Sequence, residues 1–239
     1  MTTTISTHGF GIVPALDTPD AASGEYIVRT THELIGITGY KVGLSSVLEL
    51  GLAEAVARIR ALTKHTVIYD HQKAGLDVPS NATGFAQSLK KAAVTHAIVF
   101  PVAGPSTAKA YTESLLDAGI TPIVGGELAT EDYLISRGGW IADDILTDVV
   151  HQAIESGVTH FVAPLGPQVR RVLDAAATAR IHPTVYVPGI QTSSDIVQLS
   201  DVTDSANVYA IVGRAITRAL NPQSATRSLI AAFREGEQS

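Results

Sequence analysis

Two lysines and two aspartates, Lys41, Asp70, Lys73 and Asp77, form the set of residues in this sequence best suited to proton transfer. Alternating ammonium and carboxylate groups, if sheltered from water, keep each lysine protonated and each carboxylate ionised. Such a lysine can donate a proton, and a neighbouring carboxylate can repel an anionic group that the reaction expels. The alternative interpretation is a set of solvated loop charges, because surface ion pairs are common and weak.

A second set, Pro188-Gly189 and Gly213-Arg214, combines turn glycines with a guanidinium. Exposed backbone N–H groups and a helix N-terminus favour an anion, and arginine adds charge-assisted hydrogen bonds to phosphate. The pattern therefore indicates a phosphate site. The alternative is that both glycines only permit tight strand-to-helix turns and that Arg214 lies on the surface.

Composition excludes or disfavours several other chemistries. The 239 residues include no cysteine, which excludes disulfides, thiolate nucleophiles and thiolate metal sites. The eight histidines form no His-x-His or His-x-x-x-His pair, so the sequence indicates no zinc site. A Gly-x-Ser-x-Gly elbow is absent, and Gly125-Gly126 is too short for a dinucleotide fingerprint. The net charge of −6 argues against nucleic acid as a partner.

The targeting signals expected of membrane or secreted proteins are missing from the sequence. No apolar run reaches the roughly 18 residues that span a bilayer. The polar segment Met1 to His8 lacks the basic-then-apolar plan of a signal peptide. We therefore expect a cytoplasmic protein with a small-molecule partner and no membrane association.

Alternating strands and helices must position these side chains. Eight short apolar runs are near-continuous, which is typical of parallel strands covered on both faces. They are Gly11–Leu16, Gly39–Val42, Thr66–Tyr69, Ala97–Phe100, Thr121–Val124, His160–Ala163, Thr184–Val187 and Tyr209–Val212. Eight βα units fill the chain, so the sequence predicts an α/β fold, a single (β/α)8 TIM barrel over residues 1–239 with residues 1–8 as a flexible tail. The competing architecture is an open doubly wound sheet.

Helical patterns separate the predicted strands. They are Glu25–Ile35, Ser45–Leu62, Gly84–Ala92, Ser106–Ala118, Ile141–Ser156, Gln168–Ala179, the weaker Thr192–Leu199, and Pro222–Phe233. Gly125–Trp140 is predicted to be a loop with some helix that could act as a lid. In a barrel the carboxyl ends of the strands form the active site, where both chemical sets fall. His96 and His160 begin their strands and should point to the opposite end.

Five segments occur together in the order of a known family. They are Pro14-Ala15-Leu16-Asp17, Lys41-Val42-Gly43, Asp70-His71-Gln72-Lys73-Ala74-Gly75-Leu76-Asp77-Val78-Pro79, Pro188-Gly189-Ile190 and Ile211-Val212-Gly213-Arg214. Together they resemble the orotidine 5′-phosphate decarboxylase family. The Asp-His-Gln-Lys-Ala-Gly form is similar to a variant of that family's Asp-x-Lys-x-x-Asp motif on the third strand.

The resemblance implies decarboxylation of orotidine 5′-phosphate to UMP in pyrimidine biosynthesis. It also implies a homodimer with shared active sites and no metal or organic cofactor. Lys73 would protonate C6 as carbon dioxide leaves. Lys41 and Asp70 would come from the same subunit, and Asp77 from its partner.

The resemblance also implies the substrate contacts, with three departures from the family's pattern. Asp17 would hold ribose hydroxyls, and the phosphate would be held by Gly189, Gln191, Gly213 and Arg214. Gln191 matches the family's loop glutamine only if that loop is shortened. Ala129 or Thr130 stands near the place of a base-contacting serine or threonine, and Asn81 near that of a ribose-contacting threonine.

Two other functions stay open. One is another phosphate-binding barrel, such as a sugar-phosphate decarboxylase, aldolase or isomerase. Related enzymes of this kind commonly bind a metal and carry an acidic residue at the end of the second strand, where Lys41 would repel a divalent cation. The other is a non-catalytic ligand-binding barrel, in which loss of Lys73 would change binding or stability but no turnover.

Overall fold

The computed structural model describes residues 9–70 and 75–236, which form eight parallel strands surrounded by helices. The strands are β1 (Phe10–Pro14), β2 (Gly39–Val42), β3 (Thr66–Asp70), β4 (His96–Val99), β5 (Thr121–Val124), β6 (His160–Val162), β7 (Thr184–Ile190) and β8 (Asn207–Val212). The predicted tail at residues 1–8 and the predicted proton donor Lys73 lie outside the described residues.

The sheet closes on itself. Its strand order is β1-β8-β7-β6-β5-β4-β3-β2, and every strand pair in it is parallel. Between β1 and β2, Ala15 forms a parallel bridge with Lys41, and the Leu16 N–H donates to the Lys41 carbonyl at 2.8 Å. The predicted TIM barrel is therefore confirmed, and the doubly wound alternative, which leaves two edges unpaired, is wrong.

Helices cover the outside of the barrel. They are α1 (Ala21–Thr31), α2 (Leu44–Leu50), α3 (Leu52–Arg60), α4 (Ala82–Lys91), α5 (Pro105–Asp117), α6 (Ile145–Glu155), α7 (Pro167–Ala179), α8 (Ser193–Ser200), α9 (Arg214–Thr217) and α10 (Pro222–Gly236). Two short 3-10 turns lie at Pro79–Asn81 and Ile135–Arg137. No helix within residues 9–70 or 75–236 has the length and apolar character needed to cross a membrane.

Local capping explains where the helices differ from the predictions. The single helix predicted over Ser45–Leu62 is wrong, because Gly51 adopts a φ of +76° and separates α2 from α3. Helix α1 begins earlier than predicted, since the Asp20 carboxylate accepts from the Ser23 N–H at 2.7 Å and caps it. Helix α10 is capped in the same way, with the Asn221 side chain accepting from the Ser224 N–H at 2.9 Å.

Alternate residues of each strand face two different apolar layers. On β1, Val13 belongs to the cluster inside the barrel, while Ile12 belongs to the larger cluster between strands and helices. Ile98 and Val99 divide in the same way on β4. Because both faces of each strand are buried, the strands read as near-continuous hydrophobic runs. This double layer holds the strand ends, and so the residues that follow them, in fixed positions.

The amino end of the barrel contains a polar cavity of about 120 Å³. His96 and His160 line it, as predicted from their places at the starts of β4 and β6, and their rings lie 5.8 Å apart. Burial, then the neighbouring charges of His160 and Arg60, lowers the pKa of His96 to about 4. Burial also lowers the pKa of His160. Both imidazoles are therefore neutral at neutral pH.

Candidate active site

A cavity of about 320 Å³ opens at the carboxyl ends of the strands. Charged side chains lie at the carboxyl ends of β1, β2 and β3, and mostly apolar side chains cover the side of β4 to β6. Residues at the end of β7 and in the turns after β7 and β8 complete the lining. The described residues that line it are Ala15, Asp17, Lys41, Asp70, Ile98, Phe100, Glu127, Leu128, Ala129, Val162, Pro188, Gly189, Ile190, Gln191, Ile211, Gly213, Arg214 and Thr217. This is where a barrel fold places its active site.

Lys41 joins two carboxylates at the base of this cavity. Its Nζ donates to Oδ2 of Asp70 at 2.7 Å and to Oδ2 of Asp17 at 3.0 Å. The Lys41 side chain is 8% exposed and that of Asp70 12%, whereas Asp17 is half exposed at the mouth. Because β1, β2 and β3 are neighbouring parallel strands, their carboxyl ends bring these distant residues together.

The two carboxylates keep the buried lysine protonated. Burial works against the ammonium, but attraction by Asp70 and then by Asp17 outweighs it and raises the pKa of Lys41 above its usual value. Lys41 is therefore a fixed positive charge at neutral pH and no base. Of the predicted set Lys41, Asp70, Lys73 and Asp77, Lys41 and Asp70 are paired and sheltered, and Asp17 joins them. Asp77 is exposed, and Lys73 lies outside the described residues.

Gly43, two residues after Lys41, leaves space for the Asp17 carboxylate. A Cβ atom at Gly43 would lie 2.1 Å from the Asp17 carboxylate oxygen Oδ1, far inside contact distance. Any larger residue at this position displaces the carboxylate. The Lys41-Val42-Gly43 segment thus supplies both the cation and the space that its partner occupies.

The carboxyl end of β7 and the turns after β7 and β8 form a further part of the cavity wall. Gly189, Gln191, Gly213 and Arg214 all line the cavity there, as the phosphate prediction requires of them. Arg214 is exposed, so its guanidinium reaches water and an incoming anion.

Two backbone donors in this wall are already occupied. Asp195 on α8 accepts from the N–H groups of Gln191 at 2.9 Å and Thr192 at 2.8 Å, and Thr192 caps the helix in return. Partial burial works against the charged form, but these hydrogen bonds hold the pKa of Asp195 below its usual value. An anion here therefore depends on Arg214 and on the Gln191 side chain more than on these two amides.

Three predicted site residues lie away from the cavity lining. Thr130 is exposed outside it, while its neighbour Ala129 lines it. Asp77 and Asn81 bond to each other at 2.8 Å, and this hydrogen bond lowers the pKa of Asp77. The Asp77 carbonyl accepts from Thr107 at 3.2 Å, which places the segment beside α5. Within a single chain, the side chains of Asp77 and Asn81 therefore lie outside the cavity lining.

Glu127 is a cavity residue that the sequence analysis did not single out. Its side chain is 1% exposed, and Oε1 accepts from Arg137 at 2.5 Å and from Gln168 at 2.9 Å. Position alone offered a signal, because Glu127 follows the fifth predicted strand directly after Gly125-Gly126.

Among residues 9–70 and 75–236, no three His, Asp or Glu side chains group as metal ligands do.

Comparison with known proteins places the chain among enzymes of one family. The model of the "Orotidine 5'-phosphate decarboxylase / HUMPS family" matches residues 12–229. No curated protein is recognisably similar in sequence. Among solved structures, orotidine 5'-monophosphate decarboxylase from Methanocaldococcus jannaschii, in complex with the inhibitor BMP, is 25% identical with a TM-score of 0.72. That similarity covers 96% of this chain and 98% of the other.

Two further solved structures show the same fold. Orotidine 5'-phosphate decarboxylase from Pyrococcus horikoshii is 23% identical with a TM-score of 0.73, and an uncharacterized conserved protein from Geobacillus kaustophilus is 19% identical with a TM-score of 0.72. Each comparison covers 93% of this chain and 99% of the other. At these identities the likeness supports the barrel architecture.

Proposed function

The chain belongs to the orotidine 5′-phosphate decarboxylase / HUMPS family, and from this premise we propose that it converts orotidine 5′-phosphate to UMP and carbon dioxide. One observation carries the proposal: a buried, protonated Lys41 held between Asp17 and Asp70 in a cavity that Arg214 also lines. Fixed charges of this kind stabilise a carbanion, and a remote cation binds phosphate.

The proposed chemistry begins with loss of the substrate carboxylate. The bond between C6 and the carboxyl carbon breaks, carbon dioxide leaves, and the electron pair stays on C6. Asp70 faces the departing carboxylate and repels it, a repulsion that neutral carbon dioxide no longer feels. Lys41 holds Asp70 and Asp17 in place and contributes positive charge beside the carbanion.

Lys73 supplies the proton in this proposal. It donates from its ammonium group to C6 and restores a neutral carbon there, so no metal or organic cofactor enters the reaction. Asp77 completes the array from the partner subunit of a homodimer, in agreement with its place outside the cavity of its own chain. Asn81 bonds to Asp77 and reaches the substrate ribose from the same side.

The remaining contacts bind the sugar and the phosphate. Asp17, half exposed at the mouth, accepts from ribose hydroxyls. Arg214 pairs with the phosphate, supported by Gly189, Gly213 and the side chain of Gln191. The base lies against the apolar wall, with Ala129 rather than Thr130 as its closest loop neighbour.

The loss of orotidine 5′-phosphate absorbance with purified protein in EDTA tests this proposal. We expect conversion to UMP, with kcat/KM lower by at least roughly 100-fold in Lys41→Ala and in Lys73→Ala. Lys109→Ala is the matched control, because Lys109 is 65% exposed and forms an ion pair with Glu113 at 3.9 Å on the outer helix α5. Its kcat/KM should equal that of the wild type.

Two results would contradict the proposal. A folded wild-type protein without turnover excludes this substrate. Turnover of a sugar phosphate that disappears with EDTA would instead favour a metal-dependent barrel enzyme of the same family.

A further inference from the structure

The carboxylate of Glu127 is buried at a point where the backbone has little freedom. A Cβ at Gly125 would lie 2.6 Å from a Val162 methyl on β6, and one at Gly126 would lie 3.0 Å from the Ile145 carbonyl at the start of α6. The two glycines therefore let the chain pass tightly against its neighbours. The next side chain, Glu127, is carried into the protein interior and left 1% exposed.

Burying a carboxylate is unfavourable unless donors replace its water. Both donors of Glu127 reach the same atom, Oε1: Arg137 from the 3-10 turn and Gln168 from the first turn of α7. Among the described residues Oε2 has no hydrogen-bond partner. One carboxylate oxygen thus connects the far part of the β5–α6 loop to the next βα unit.

Further contacts make this loop a single packed unit. Tyr133 donates to the Gly126 carbonyl at 3.1 Å, and Leu134 pairs with Ile141. Burial and then the charge of Glu127 raise the pKa of the Tyr133 hydroxyl, which keeps it a donor. Leu128 and Ala129, the residues that directly follow Glu127, line the cavity together with it.

We propose that Glu127 is a positioning residue: through Arg137 and Gln168 it fixes Leu128 and Ala129 as the wall against which the substrate base packs. The proposal rests on the proposed function for the identity of the base. It assigns Glu127 no contact with the reacting atoms. Its effect is on substrate binding, because a displaced wall leaves the base loosely held while the Lys41 array stays intact.

Steady-state kinetics of Arg137 variants test the proposal, since Arg137 is 41% exposed and its loss spares the core. Arg137→Ala should raise the KM for orotidine 5′-phosphate about tenfold, the size expected on loss of a charge-assisted hydrogen bond, with kcat changed much less. Arg137→Lys should recover most of this loss. Arg171→Ala is the control, because Arg171 bonds to the Asp143 carbonyl at the same loop and has no bond to Glu127.

A purely structural role would lower kcat with the fraction of folded protein and leave KM unchanged, and that result would overturn the proposal. Fluorescence anisotropy of Trp140 gives an independent measurement, because this single tryptophan lies on the loop and is 93% exposed. Without any ligand, Arg137→Ala should lower its anisotropy and Arg171→Ala should not. An unchanged anisotropy contradicts the inference, whereas wild-type protein without turnover contradicts only the proposed function.

Discussion

The position of Asp17 depends on the absence of a side chain two residues after Lys41. The carboxylate oxygen Oδ1 of Asp17 occupies the space that a Cβ at Gly43 would fill, and Oδ2 bonds to Lys41. The ion pair between Asp17 and Lys41 therefore depends on the exact space left for one carboxylate oxygen. It also makes the geometry of the site sensitive to a change that removes no charged group.

Gly43→Ala should break this arrangement. The new methyl group pushes the Asp17 carboxylate away from Lys41, and we expect kcat/KM to fall roughly 10- to 100-fold, as for the loss of one positioned charged group. Kinetics with orotidine 5′-phosphate measure the loss. Gly84→Ala is the control, because a Cβ there meets open space on α4, and its kcat/KM should be unchanged. Equal kinetics for the two variants would contradict the prediction.

At the scale of elements, one glycine divides a predicted helix in two. The apolar spacing over Ser45–Leu62 is helical throughout, yet Gly51 turns the chain with a φ of +76° and a ψ of 150°. Helix α2 thereby directly follows β2, while α3 packs Val56 and Ile59 into the core. A periodic pattern carries no information about this change of direction.

Gly51→Ala should therefore cost stability without a steric clash. Among the described residues, no atom beyond the chain neighbours lies within 4 Å of a Cβ at this position. The cost therefore comes from the backbone conformation alone and should be about 1–3 kcal/mol. Urea unfolding measures it. Gly84→Ala, inside a regular helix, should instead be neutral or slightly stabilising. If Gly51→Ala unfolds at the wild-type urea concentration, the backbone argument is wrong.

At the scale of the whole molecule, the two ends of the barrel differ in the charge of their buried titratable groups. The carboxyl end keeps the buried Lys41 charged through paired carboxylates. The amino end buries His96 and His160 against each other, and Tyr186 and Tyr209 help to line their cavity. Imidazoles placed in this way resist protonation, which links the stability of the barrel to pH.

Acid should weaken the fold through His96. The pKa of His96 is about 4 in the folded protein against an ordinary value of 6.5, so between these values the unfolded chain binds more protons. The contribution of neutral His96 to the free energy of unfolding is therefore fully present above pH 6.5, and it is lost as the pH drops toward 4. From pH 7 to pH 5 we expect a loss of about 2 kcal/mol in the free energy of unfolding.

Urea unfolding at the two pH values, with His96→Gln and His151→Gln, measures this contribution. His96→Gln should remove the His96 share of the acid sensitivity and leave the smaller share of His160, whereas His151→Gln, at an exposed position, should make no difference. If His96→Gln loses as much stability in acid as the wild type, the buried imidazole is not the cause.

The strands were the most predictable part of the molecule. Gly39–Val42 and Thr121–Val124 have the predicted bounds, and the other six differ by no more than a few residues at either end. Burial on both faces imposes a run of apolar residues that is visible in any one strand. The same information places Asp17, Lys41, Asp70 and Arg214 at one rim, because each lies at or just after the carboxyl end of its strand.

The sequence by itself determined the barrel, its rim and the residue types available there, since these depend on local hydrophobic runs and on chain order. Only the tertiary structure decided which residues meet: Lys41 bonds to partners 24 and 29 positions away, and Glu127 is buried by contacts from Arg137 and Gln168. It also decided that Ala129 lines the cavity and Thr130 does not. Such contacts depend on the direction in which each turn points its side chains. Turn conformation does not produce a hydrophobic repeat, so these directions cannot be predicted from the pattern of apolar residues.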